Sequence, residues 1–515
     1  MAASKDKGPG LPDEDGAAEK KGNIMSKVSI ILSETLGTIN RNIYGHFTEH
    51  IGGVFYDGIW VGEQSQVPNI RGFRRDLVER LAKLNPPVIR WPGGCFAEIY
   101  NWRDGIGPRD ERPVNASFWY GWDGRLESNE VGTHEFVDFC RLVGAEPYFA
   151  ANVTTTTPLE IRNWVEYCNL PQGTTSLAAL RERNGSPEPF GVQYWGIGNE
   201  NWGCGGNMTP EDYCAAFRKY ASIAGLLEKG RLKLIAGGPD GNDLNWTRRF
   251  FNKLNDPNYP ANFPVYGYSL HYYCGTAGNV LEFDEDQWYE LLGKAAIMEK
   301  IIVEQRGLMD SYTIGRNVGI VVDEWGCWHP NGSGPSKGGN LFEQQSTMRD
   351  ALVAAITLNI FNNHCDKVVM ANVAQMVNNL HSLFLAAGNQ LITTPNYHVF
   401  GLFRGHQGAT AVRTHIETNK QKYSTEKGEK KYLDRLSSSA SIKDGKLTLT
   451  LVNCHYTEAC ETELDLLGGA FAGPGVKVTL TAGDPHACNT FEEPECVVPR
   501  VESIACSGSR LTDEL

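Results

Sequence analysis

The chain has 515 residues, 41% hydrophobic and 21% charged, a globular composition with a full core and more length than one ordinary domain uses. Its net charge of −13 argues against nucleic acid or an anionic membrane surface as the principal partner. Residues 1–24 are rich in Lys, Asp, Glu, Gly and Ala, lack the apolar stretch of a secretory signal, and read as a disordered tail on a cytoplasmic protein. No segment approaches a membrane span. The 13 cysteines are odd in number and follow no framework spacing. Several, such as Cys140 and Cys168, sit in apolar runs, so reduced core thiols are expected rather than disulfides.

Lys27 to Leu32 reads as a strand. From Ile43 the chain alternates short β-like runs with helical patterns. The β-runs are Ile43–Gly53, Val88–Gly94, Glu146–Val153, the stretch at Gly191–Gly203, Lys233–Gly241, Gly267–Tyr273, Val318–Gly326 and Lys367–Val377. Helical spacing is read at Arg71–Leu84, Thr133–Val143, Pro158–Cys168, from Pro210 behind a Thr209 cap, at Trp288–Glu304 and at Gln345–Phe361. Apolar strands covered on both faces and repeated eight times predict a parallel (β/α)8 barrel. Gly332–Gly339 is glycine-rich but lacks the order of a phosphate-binding loop. From about residue 405 the pattern changes to strict alternation, as in Leu447, Leu449 and Leu451, which predicts an antiparallel β domain. The expected plan is a tail over 1–24, a strand segment over 25–40 that completes the second domain, a barrel over 41–404 and a β-sandwich over 405–515.

Polar groups gather at the predicted strand ends: His46, Glu49 and His50, then Arg90 and Cys95, Asn152, Asn199 and Glu200, His271 and Tyr273, Asp323 and Glu324, Asn372 and Gln375. Trp91, Trp202, Trp325 and Trp328 stand beside them. Convergent polar groups with aromatic walls suit a sugar, whose hydroxyls need directional partners and whose ring faces need flat surfaces. Glu200 and Glu324 form the carboxylate pair that glycoside hydrolysis requires. Asp323 competes with Glu324, but strand alternation sends neighbours to opposite faces, and Trp325-Gly326 favours Glu324. A rival is His46-Phe-Thr-Glu49-His50, the H-x-x-E-H spacing of a zinc peptidase. Glycines flank it and no helix continues it, so zinc geometry is not given, and no metal or cofactor is assigned.

YGHFTEHIGG, RWPGGCFAEIYNWRDGIGP, WGIGNENWGCGG, HYY, VVDEWGCWH and ANVAQMVN occur in this order. Together they resemble the α-L-arabinofuranosidases of glycoside hydrolase family 51, from about Ile30 into the C-terminal domain. The resemblance implies a catalytic (β/α)8 barrel with a jelly-roll-like β domain that takes in an N-terminal strand. It implies Glu200 as acid/base at strand four and Glu324 as nucleophile at strand seven of a retaining enzyme. Glu49, Arg90, Asn199, His271, Tyr273 and Gln375 match positions that bind the arabinose or orient the carboxylates, with Asn199 on the 2-hydroxyl. Cys95 departs from members that carry Asn there. A thiol donates weakly, so Cys95 is a candidate contact beside a packing role. The implied activity is exo-acting, on arabinoxylan, arabinan or related oligosaccharides, in a homo-oligomer that the resemblance makes a hexamer. An endo-β-glucanase or β-xylosidase on the same scaffold is the alternative, since fold does not fix substrate.

Overall fold

Eight short strands close into a parallel barrel: Gly45–Phe47, Val88–Trp91, Glu146–Ala151, Tyr194–Ile197, Lys233–Ala236, Gly267–Gly275, Gly319–Trp328 and Val368–Val373. They follow one another round the ring in chain order, and the last pairs with the first through Asn372 opposite Gly45. This architecture comes from a computed structural model that describes residues 25–121, 123–228 and 230–515. The expectation of a tail over 1–24 lies outside those residues. Each of the eight predicted β-runs falls on one barrel strand, and Gly267–Gly275 and Gly319–Trp328 run two residues past the predicted ends.

Alternation along the strands sorts the core into two parts. Val88, Tyr148, Tyr194, Ile235, Val321 and Met370 form a cluster inside the ring. Their strand neighbours Ile89, Phe149, Trp195, Leu234, Ile320 and Val322 join the large cluster beneath the surrounding helices. Parallel strands buried on both faces are mostly apolar, which is why they read as near-continuous runs. The helices pack as their spacing requires. Leu77, Val78, Leu81 and Leu84 are buried along Arg75–Leu84, which begins four residues later than its periodicity because Phe73–Arg74 is spent on a short hairpin with Asn69–Ile70. The helix expected at Trp288–Glu304 runs from Glu285 to Asp310, opened by a reciprocal Asp284–Gln287 capping box. Among the described residues, no helix is long and apolar enough to cross a membrane.

The second unit is a six-stranded sheet in the order Lys446–Asn453, Leu436–Lys443, Thr410–Glu417, Ser26–Thr38, Glu461–Leu467, Arg510–Glu514. The N-terminal strand lies inside this sheet, antiparallel to Thr410–Glu417 and parallel to Glu461–Leu467. That one parallel pairing makes the sheet mixed. Val28 and Ile30 are fully buried against Val412, Leu436, Ala440, Leu464 and Leu466. Replacing Ile30 with Ala removes part of that core, at a cost of about 2–5 kcal/mol. The urea unfolding midpoint is expected to fall, and an unchanged midpoint would mean the N-terminal strand contributes nothing to the second domain.

Candidate active site

The C-terminal ends of the barrel strands converge on one buried cation. Arg90, on the second strand, is 1% exposed, with its guanidinium 4.7 Å above the ring of Phe47. Its Nη1 donates to Glu324 Oε1 at 2.7 Å and its Nη2 to Asn199 Oδ1 at 2.5 Å, while Nε lies 3.9 Å from Asp323. Asp323 faces the ring interior as alternation from Val321 requires. There it accepts hydrogen bonds from Tyr148 and Asn372. Glu324 should then face outward, but the pairing of strands six and seven slips at this point: Leu270 opposes Val322 and His271 opposes Glu324. Asp323 is the extra residue of a β-bulge, and the bulge turns Glu324 inward as well. The expectation that neighbours take opposite faces is corrected here, since both carboxylates point into the barrel.

Their environments push them apart. Burial drives Asp323 above the ordinary carboxylate range, and Arg90 and His271 only partly oppose it. Burial also works against a charged Glu324, but the charges of His271 and Arg90, with hydrogen bonds from Arg90 and Tyr273, hold its carboxyl below the usual range. Tyr273 donates to Glu324 Oε2 at 2.7 Å. Burial and the Glu324 charge keep that phenol protonated by raising it well above its ordinary value. The two neighbours are thus shifted in opposite directions, Asp323 up and Glu324 down.

Glu200 follows the fourth strand at φ 40°, left-handed backbone that is rare for a residue with a side chain. His271 Nδ1 stands 2.9 Å from Glu200 Oε1 and 3.6 Å from Glu324 Oε2, bridging the two carboxylates. Burial opposes a charge on this imidazole, yet Glu324 and Glu200 raise it above its ordinary value. One oxygen of Glu200 and one of Glu324 lie within 4.8 Å of each other. Glu49 approaches from the first strand. It accepts from the backbone N–H groups of Gly94 and Phe96, both at 3.0 Å, and from Gln375 Nε2 at 3.2 Å. Burial and the Glu324 charge push Glu49 up to about 8. The two glycines after Pro92 are needed for this approach. A Cβ at Gly93 would come 2.6 Å from the Glu49 side chain, and one at Gly94 would come 2.7 Å from Glu324 Oε1. Glu49, Arg90, Asn199, Glu200, His271, Tyr273, Glu324 and Gln375 thus meet in one mouth.

The remaining candidates separate from this group. His46 points away from the mouth, its ring centroid 5.0 Å from that of Phe400, and burial lowers it to about 3. His50 pairs with Glu127 at 3.1 Å and accepts from Trp91 at 2.9 Å. With Glu49 held by Gly94, Phe96 and Gln375, the H-x-x-E-H residues have separate partners and do not form a ligand set. Trp91 and Trp325 are buried under the helices, against Phe136 and Phe361. Trp328 is 38% exposed and packs edge-on to Tyr273, with 5.0 Å between centroids.

Cys95 and Cys204 form a disulfide, which corrects the expectation of reduced thiols throughout. The other eleven cysteines are free and eight of them are buried. The bond follows from proximity: the turn after strand two and the loop after strand four both cover Glu200. The two sulfurs lie 3.8 Å (Cys95) and 3.5 Å (Cys204) from Glu200 Oε2. Cys95 as a thiol contact to sugar is corrected with it, because a disulfide has no S–H to donate. Cys204 and Glu98 have no mark in the sequence, and Asp323 stands there only as the competitor of Glu324. For Asp323 the signal was alternation itself, which places it inside. The bridge closes a loop of 109 residues, so Cys204→Ser should cost about 2–4 kcal/mol. A lower melting temperature under non-reducing conditions checks this, and an unchanged one would contradict it.

Residues 80–267 match the family model described as the α-L-arabinofuranosidase 1 domain, and residues 323–515 match the α-L-arabinofuranosidase C-terminal domain. An intracellular exo-α-L-arabinofuranosidase of Bacteroides ovatus is 38% identical over 90% of this chain and 88% of its own length. A probable α-L-arabinofuranosidase C of Aspergillus fumigatus is 34% identical over 90% of each chain. Among solved structures, the family 51 arabinofuranosidase of Xanthomonas axonopodis pv. citri superposes with a TM-score of 0.85 at 34% identity, over 95% of this chain and 99% of that one. The α-L-arabinofuranosidase of Thermotoga maritima, solved as an arabinose complex, gives 0.83 at 32% identity over 95% and 97%. With this identity over nearly the whole length of both partners, the chain belongs to the α-L-arabinofuranosidases of glycoside hydrolase family 51.

Proposed function

We propose that this chain removes terminal α-L-arabinofuranosyl residues from the non-reducing ends of arabinoxylan-, arabinan- or related oligosaccharides, with retention of configuration. The observation that carries the reading is the His271-bridged pair, Glu200 and Glu324, with oxygens within 4.8 Å of each other. Inverting enzymes need carboxyls about 6.5–9.5 Å apart to admit a water, whereas about 5–5.5 Å suits direct attack by one of them. Glu324, held charged by His271, Arg90 and Tyr273, attacks the anomeric carbon while Glu200 protonates the leaving oxygen. Glu200 then takes a proton from the water that releases arabinose from Glu324. Asn199, fixed by Arg90, faces the 2-hydroxyl, and Glu49 with Gln375 receives other hydroxyls. The names of the relatives support the sugar and the exo mode. The xyloglucanase and glucanase-xylanase structures that share the barrel are 10% and 12% identical, which carries the fold alone. A cytoplasmic location and a hexameric assembly belong to the same proposal. The intracellular Bacteroides ovatus relative supports the location, while the Cys95–Cys204 disulfide, a bond rare in cytosolic proteins, counts against it.

On an aryl α-L-arabinofuranoside, Glu324→Ala should abolish turnover. Glu200→Ala should slow the second step by about 10²–10⁴-fold, with azide restoring a rate. Full activity in either variant would overturn the assignment. Because the Glu324 carboxyl is depressed, its charged form persists until pH falls below the usual carboxylate range, and kcat/KM should fall on the acid side only there. Tyr273→Phe removes a donor to the charged form, so the acid limb should move to higher pH. A limb that stays in place or moves lower would contradict that role.

A further inference from the structure

Glu98 is a carboxylate with no place in the chemistry above. It sits in the 3-10 turn Cys95–Ile99 after the second strand and is 1% exposed. Its oxygens are met by N–H groups from two other strand ends. Oε1 accepts from the backbone of Asn199 at 2.7 Å and from Asn201 Nδ2 at 3.0 Å. Oε2 accepts from the backbone of Val153 at 2.8 Å and of Thr154 at 3.0 Å. Burial raises this carboxyl above its ordinary value and the donors from Asn199, Val153 and Thr154 oppose the rise, so with two donors on each oxygen the side chain clamps the ends of strands two, three and four.

What the clamp holds is the residue between its two contacts. Asn199 and Asn201 flank Glu200, whose φ of 40° is a conformation that persists only where the surroundings over-determine it. Asn201 is tied a second time, through Nδ2 to the Gly205 carbonyl at 2.8 Å and through its own carbonyl to Met208 N at 2.6 Å. Without Glu98, Asn199 would lose its backbone anchor while Arg90 still pulls on its side chain. Glu200 would then turn relative to Glu324.

We infer that Glu98 is a positioning residue for this reaction, setting the angle at which Glu200 delivers its proton while touching neither substrate nor reacting atoms. The inference rests on Glu200 being the acid. It separates from a general structural role through the leaving group, since only a substrate that needs protonation feels a misplaced acid.

The test is Glu98→Gln, whose amide nitrogen would face two N–H donors. It is assayed on a 2,4-dinitrophenyl and a methyl α-L-arabinofuranoside, with Glu200→Ala alongside. The ratio of kcat/KM between the two substrates on one preparation does not depend on how much protein is folded. Glu98→Gln should lose about 10–100-fold on the methyl glycoside and less than about 3-fold on the dinitrophenyl one, as a misplacement near 1 Å would produce. An equal loss on both substrates, or none, beside a steep leaving-group dependence in Glu200→Ala overturns the positioning role alone. A flat response in Glu200→Ala as well overturns the acid assignment beneath it.

Discussion

One buried guanidinium lets the mouth of this barrel hold its charges. Asp323, Glu324 and Glu49 are all nearly excluded from water, and like charges in such a place raise one another's pKa. Arg90 opposes the rise at Asp323 from 3.9 Å and donates directly to Glu324, whose carboxyl it holds down together with His271. Its other arm fixes Asn199, so one side chain on strand two connects both carboxylate-bearing strand ends. The cation in turn is confined by the ring of Phe47 and by the barrel wall.

That arrangement needs Glu324 to face inward, and a regular strand would not allow it. The extra residue at Asp323 supplies the turn. The result is two inward carboxylates with opposite tendencies, Asp323 bonded to Tyr148 and Asn372 inside the ring, and Glu324 bonded to Arg90 and Tyr273 at its mouth. A bulge beside a functional group re-aims a side chain at the cost of some ladder pairing, and here it separates the role of a carboxylate from that of its neighbour.

Much of this was legible in the sequence for a physical reason. Strands buried on both faces are mostly apolar, so Tyr194–Ile197 or Gly319–Val322 announce themselves, and polar residues that interrupt such runs gather near the strand ends. Glu200 and Glu324 stand out on that ground. The inward turn of Glu324 did not, because a bulge depends on how two strands pair and leaves no periodic trace in either. The Cys95–Cys204 bond joins residues 109 apart, so only the closed barrel brings them together. Glu98 was hidden differently: its partners are mostly backbone N–H groups, which every residue carries. For the second domain the strand at Lys27–Leu32 and its place in the C-terminal sheet are legible, whereas its parallel pairing with Glu461–Leu467 is not.

The central claim is that the bulge makes Glu324, and not Asp323, the group that bonds to the sugar. Incubation of the Glu200→Ala variant with an activated aryl α-L-arabinofuranoside should accumulate a glycosyl-enzyme, because the second step lacks its base. Peptide mapping by mass spectrometry should then find a single arabinosyl group on Glu324. An arabinosyl group on Asp323 would contradict the account.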